Sequence, residues 1–105
     1  MNRGDVHELR SRRGVGHEQH GPRYGVVVTS DALLPQSVVV VAPTSTRARA
    51  FSYRPEVTVR GRPTRVLVEQ IGAADVSRIG RRVGRLSPDE RWSLDEALRT
   101  VLGLD

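Results

Sequence analysis

Apolar residues in this chain fall into short β-branched runs, and only near the end do they recur at helical spacing. Residues 5–9 (DVHEL) predict a short first strand. Residues 25–29 (GVVVT) and 37–42 (SVVVVA) are rich enough in valine for central strands, and the four valines 38–41 predict one buried on both faces. The connector at 30–35 (SDALLP) fits a loop or a single helical turn. Residues 57–60 (VTVR) and 65–71 (RVLVEQI) flank Gly61-Arg62-Pro63-Thr64, a composition that suits a hairpin connection. Pro55 then belongs at a sheet edge or ahead of the strand. Residues 75–79 predict a short helix and 82–86 a last strand.

The end of the chain carries the clearest signal. Ser87-Pro88-Asp89-Glu90 puts serine at the N-cap, proline at the first helical position and glutamate at the third, which is a capping box. Leu94, Leu98, Val101 and Leu102 follow at helical spacing, and Gly103 can close the end. The predicted class is mainly β with a C-terminal helix: a small, strongly twisted sheet or barrel with the helix packed on it. No linker or repeat divides residues 1–105, so a single domain is expected.

Composition narrows the chemistry. All 17 basic residues are arginine, and the net charge is +5. A planar guanidinium matches phosphate and stacks on bases, so the balance permits a polyanionic partner; a GC-rich coding bias yields the same composition. Without cysteine there is neither a disulfide nor a thiolate metal site. The apolar runs are too short to span a bilayer, and the charged start MNRGDVHELR is unlike a signal peptide, so a soluble cytoplasmic protein is expected.

The valine run leads directly into Pro43, three hydroxyls (Thr44, Ser45 and Thr46) and the cations Arg47 and Arg49. Such residues often just terminate a strand at the surface. Three hydroxyls beside two arginines also suit a phosphate site.

Five segments, in order along the chain, resemble the MazF/PemK (Kid) toxins of bacterial toxin–antitoxin systems. They are Arg3-Gly4-Asp5-Val6 at the start, EQHGPRYGVVVTSDAL at 18–33, VVVVAPTST at 38–46, VLVEQI at 66–71, and RVGRLSPDERWSLDEALRTVLGL at 82–104. The resemblance implies an SH3-like barrel of the PemK/CcdB toxin type and a homodimer. It also implies sequence-specific cleavage of single-stranded RNA without a metal or other cofactor. A paired antitoxin would lay a flexible acidic tail across the toxin surface.

By the same resemblance Arg23 occupies the position of the catalytic arginine and Ser45 that of the catalytic threonine, with Thr46 or Thr44 as alternates in a shifted register. RNA cleaves itself when a 2′-hydroxyl attacks the adjacent phosphorus, and cations and hydrogen-bond donors aimed at the developing charge supply most of the acceleration. Glu18, Gln19, Ser30, Asp31 and Gln70 match polar positions of the family that line RNA, and Arg47 and Arg49 add cations. His20, or His17, could supply a near-neutral acid or base in place of the arginine.

The chain also departs from the family. Tyr24 stands where the family has proline and could stack on a base. Pro22 replaces a commoner basic or polar residue, and His7-Glu8-Leu9-Arg10-Ser11 replaces the usual end of the first strand. Three other motifs fail: HEQH at 17–20 is one residue short of a zinc HExxH, the RGD tripeptide lacks any export signal, and Gly14 and Gly16 precede no helix. Two alternative functions remain, a gyrase-binding toxin on the same scaffold and a non-catalytic RNA-binding barrel.

Overall fold

The structure is a computed structural model and describes residues 1–10 and 23–105. Its strands are β1 (Asp5–Leu9), β2 (Tyr24–Val27), β3 (Val38–Ser45), β4 (Glu56–Val59), β5 (Arg62–Val66), β6 (Gly72–Asp75) and β7 (Ile79–Arg85), followed by helix α1 (Pro88–Leu102). They pair antiparallel in the order β4-β5-β3-β2-β1-β7, with β6 also on β3. The result is a mainly β half-barrel with a C-terminal helix.

Strand β3 organises this sheet. One edge pairs with β2; the other pairs with β6 through Val38–Val41 and then with β5 through Thr44 and Ser45. Pro43 lies at the switch between the two partners, a place where a missing N–H breaks no regular ladder. The strand therefore passes through the proline and reaches Ser45, three residues beyond the expected end. Its valines are not buried on both faces. Val39 and Val41 are buried against Ala74 and Ile79, whereas Val38 is 47% exposed and Val40 only half-buried. Val40 lines an open groove with Leu98 and Leu102 of α1.

Three other expectations shift. Strand β2 stops at Val27, and Thr29 substitutes a side chain for the ladder, its Oγ1 accepting from Val40 N at 2.7 Å. The β4–β5 turn is Arg60-Gly61, not 61–64. Both residues have positive φ, +53° and +78°, as a two-residue turn matched to strand twist requires. The expected long strand at 65–71 ends at Val66; Val68–Gln70 is a 3-10 turn, and β6 follows. At 75–79 a single 3-10 turn, Val76–Arg78, forms under the Asp75 cap, and β7 begins directly after it. The turn expected as one possibility at 30–35 is present as Asp31–Leu33.

The capping box of α1 forms as expected. Ser87 Oγ accepts from Glu90 N at 3.1 Å, and Glu90 Oε1 accepts from Ser87 N at 2.8 Å. The other Glu90 oxygen accepts from Thr58 N at 2.8 Å, tying the helix start to β4. Gly103, at φ +69°, ends the helix. Leu94, Ala97 and Leu98 face the main core with Val6, Val26 and Val66. The Arg3-Gly4-Asp5 tripeptide is part of the scaffold. Asp5 is buried and accepts from Asn2 N, with Arg82 and Arg85 beside its carboxylate, and Arg3 pairs with Asp95 at 2.7 Å.

Candidate active site

Strands β2 and β3 bring their ends together at the mouth of a cleft. Gly25 pairs with Pro43, Val26 with Ala42 and Val27 with Val41. Arg23 immediately precedes β2 and Ser45 ends β3, and both line this cleft. The Arg23 carbonyl accepts from Leu9 N at 2.9 Å, so its backbone is anchored from the β1 side as well. The alcohol thus ends one strand and the guanidinium stands just ahead of its neighbour, both strands having valines fixed in the core.

The three hydroxyls are not equivalent. Thr44 Oγ1 donates to the Tyr24 carbonyl at 3.2 Å, so its proton is committed. Ser45 Oγ accepts from Arg47 N at 3.2 Å, which orients the oxygen and leaves its proton for another acceptor. Thr46 is exposed in the turn that follows.

The cleft is open, about 670 Å³ in volume. One wall carries Arg23, Tyr24, Ser45, Thr46 and Arg47. The other is the β4–β5 hairpin, with Val59, Arg60, Arg62 and Thr64. Four arginines and no carboxylate are among its described lining residues. Such a surface attracts phosphates and can hold them through paired N–H donors.

The connection from Thr46 to Pro55 is held by Arg54. Its Nε donates to Glu69 Oε2 at 2.9 Å, with Nη2 on the same oxygen, and Nη1 donates to the Arg49 carbonyl at 3.0 Å. The guanidinium lies 4.7 Å over the Phe51 ring, which stacks on Tyr53 at 5.3 Å. Arg65 Nη1 donates to the Arg54 carbonyl at 3.1 Å. This guanidinium is thus spent inside the protein, where it fixes the loop that carries Thr46 and Arg47.

The hydrogen bond from Arg54 holds the Glu69 carboxyl below its ordinary value of 4.5. A depressed carboxyl stabilises the fold above its unfolded pKa, and that contribution disappears as pH falls through the folded value. Glu69→Gln should therefore melt below wild type at pH 7, and the gap should close in acid below pH 4.5. Thermal melts across that range check it; a gap constant with pH would remove Glu69 from this role.

The other residues singled out in the sequence lie elsewhere. Arg49 is exposed outside the cleft lining, and Gln70 ends the 3-10 turn at the surface. Ser30 caps the Asp31–Leu33 turn, and Asp31 Oδ1 accepts from Arg3 N at 2.6 Å; neither lines the cleft. Glu18, Gln19 and His20 fall outside the described residues. Arg60, Arg62 and Thr64 line the cleft without belonging to any of the motifs above. The only signal there was an arginine on each side of the hairpin glycine. Among the described residues no three His, Asp or Glu side chains cluster to hold a metal, and no helix is long and apolar enough to cross a membrane.

Residues 2–102 match the model of the family described as PemK-like, MazF-like toxin of type II toxin–antitoxin system. The chain belongs to this toxin family. It is 43% identical over 90 residues to a Mycobacterium tuberculosis protein named "Putative toxin", covering 85% of this chain and 84% of that one. Among solved structures, it is similar to the M. tuberculosis toxin MazF-mt6, with a TM-score of 0.79, 22% identity, and coverage of 96% of this chain and 98% of that one. MazF of Deinococcus radiodurans gives a TM-score of 0.78 at 22% identity, covering 98% and 96%. A mycobacterial endoribonuclease in complex with its cognate antitoxin gives 0.81 at 20% identity, covering 100% and 97%. At these identities the structural likeness carries the fold. This MazF-type toxin therefore keeps the family's half-barrel and helix.

Proposed function

We propose that this toxin is an endoribonuclease that cuts single-stranded RNA at particular short sequences. The observation that carries the reading is Arg23 and Ser45 lining one cleft, with four arginines and no carboxylate among its described lining residues. The 2′-hydroxyl attacks the adjacent phosphorus, and the bond to the 5′-oxygen breaks. The products are a 2′,3′-cyclic phosphate and a free 5′-hydroxyl. One proton leaves the attacking oxygen and one is gained by the departing oxygen, so the cleavage consumes none.

The forked donors of Arg23 stabilise charge on the two non-bridging oxygens, and the Ser45 hydroxyl donates to the same phosphoryl group. Guanidinium stays protonated at physiological pH, so Arg23 acts as an electrostatic clamp and proton donor instead of a free base. An acidic antitoxin tail would compete for the same arginines. In the cell the toxin would act in the cytoplasm, where RNA is.

The working unit is a homodimer. A second, mainly apolar groove lies between α1 and the Asp31–Leu33 turn, with Leu33, Leu102 and Leu104 more than half exposed. Its edge holds internal ion pairs, Arg3–Asp95 and Arg99–Glu96. That near-neutral, apolar surface suits a second copy better than an acidic tail.

Incubating the purified protein with labelled single-stranded RNA in EDTA tests the activity. Fragments ending in a cyclic phosphate support it. A shifted but uncut RNA indicates a binding barrel, and no interaction leaves the gyrase-directed reading. Light scattering that finds only 11.6 kDa chains would counter the dimer.

A further inference from the structure

The hairpin wall of the cleft presents two cations, Arg60 and Arg62, on either side of Gly61. Arg60 holds φ +53°, a left-handed conformation that favours glycine or asparagine. The turn fixes that conformation, and so holds the Arg60 backbone at the rim of the cleft beside Arg62. At about 670 Å³ the cleft has far more room than a lone phosphate needs. Tyr24 on one wall and Val59 on the other add aromatic and apolar surface.

We infer that Arg60 and Arg62 bind a second phosphate of the RNA, one nucleotide step from the linkage held between Arg23 and Ser45. This rests on the ribonuclease reading and extends it. Two phosphate sites on facing walls fix the strand lengthwise, so the hairpin sets which linkage reaches Arg23. Arg60 and Arg62 are positioning residues and take no part in bond breaking.

Arg60→Asn and Arg62→Gln test the assignment independently. Asparagine suits φ +53°, so Arg60→Asn should melt at or above wild type; Arg62 has an ordinary strand position, so its variant does not depend on turn geometry. The probe is an oligoribonucleotide with the sequence that wild type cuts, blocked by a 2′-deoxy group at the cleaved nucleotide. Each phosphate in turn is replaced by a neutral methylphosphonate, and binding is read by fluorescence anisotropy.

Wild type should lose about tenfold in affinity when one particular neighbouring phosphate is neutralised, whereas the variants should be indifferent to that replacement. Each variant should also lower the salt slope of binding by about 0.7. Equal losses in variants and wild type at every phosphate would overturn the assignment. If wild type cuts no RNA, the ribonuclease reading itself fails, a result distinguishable because Arg60 and Arg62 are then unaltered.

Discussion

Arg23→Ala should reduce RNA cleavage by about 10²–10³-fold in kcat, the scale for removing one preorganised donor from developing charge. The loss should fall mainly on kcat. Arg47, Arg60 and Arg62 still line the cleft and continue to attract the backbone, so KM should change far less. Arg23 is exposed, and a surface truncation of this kind alters stability by only about 0.5 kcal/mol or less. A melt and a single-turnover assay on one sample therefore separate chemistry from folding. Arg23→Lys keeps the charge but loses the planar fork, and should recover only part of the rate. Full activity in a well-folded Arg23→Ala protein would remove the residue from the reaction and the proposed mechanism with it.

The second large effect is on the fold. Leu94→Ala should destabilise the protein by about 3 kcal/mol, from lost burial and the cavity left behind. Leu94 is fully buried where α1 meets the sheet, in the same cluster as Val6, Val26 and Val66. Against a total of roughly 5–15 kcal/mol for a domain, that is a large fraction. It should lower the melting temperature by about 10–20 °C. Because the same sheet carries Arg23 and Ser45, activity should fail at the new transition and remain near normal well below it. A drop under 1 kcal/mol in denaturant titrations would mean that the helix contributes little to the sheet.

The sequence made some elements plain and hid others for physical reasons. The capping box at Ser87 and Glu90 is purely local, so it appears in the structure as read. Strand β3 is legible from its valines, but which of them are buried depends on Ala74 and Ile79, which are distant in sequence and pack on Val39 and Val41. Strand β6 is nearly invisible because Gly-Ala-Ala-Asp has no strand preference of its own; its pairing with Val38–Val41 supplies the order. The hairpin turn falls at Arg60-Gly61 and not at 61–64, because arginine gives no warning of positive φ. Gln70 falls within the strand expected at 65–71, but the chain turns at Val68 and leaves Gln70 outside the cleft lining. Tyr24, Thr44, Ser45, Thr46 and Arg47 converge with Arg23 because of a register that no single segment contains. The resemblance points to Arg23 and Ser45, and both line the one cleft.

Strand β1 lies between β2 and β7, so one of its neighbours comes from the far end of the chain. A polypeptide emerging from the ribosome can assemble β2 and β3 early, yet β1 keeps an unsatisfied edge until Ile79 to Arg85 have been synthesised. Premature termination upstream of that strand would give a product without its last sheet partner and without the covering helix. The sheet is thus completed only once β7 has been made, and a fragment that stops before it is left with an open β1 edge.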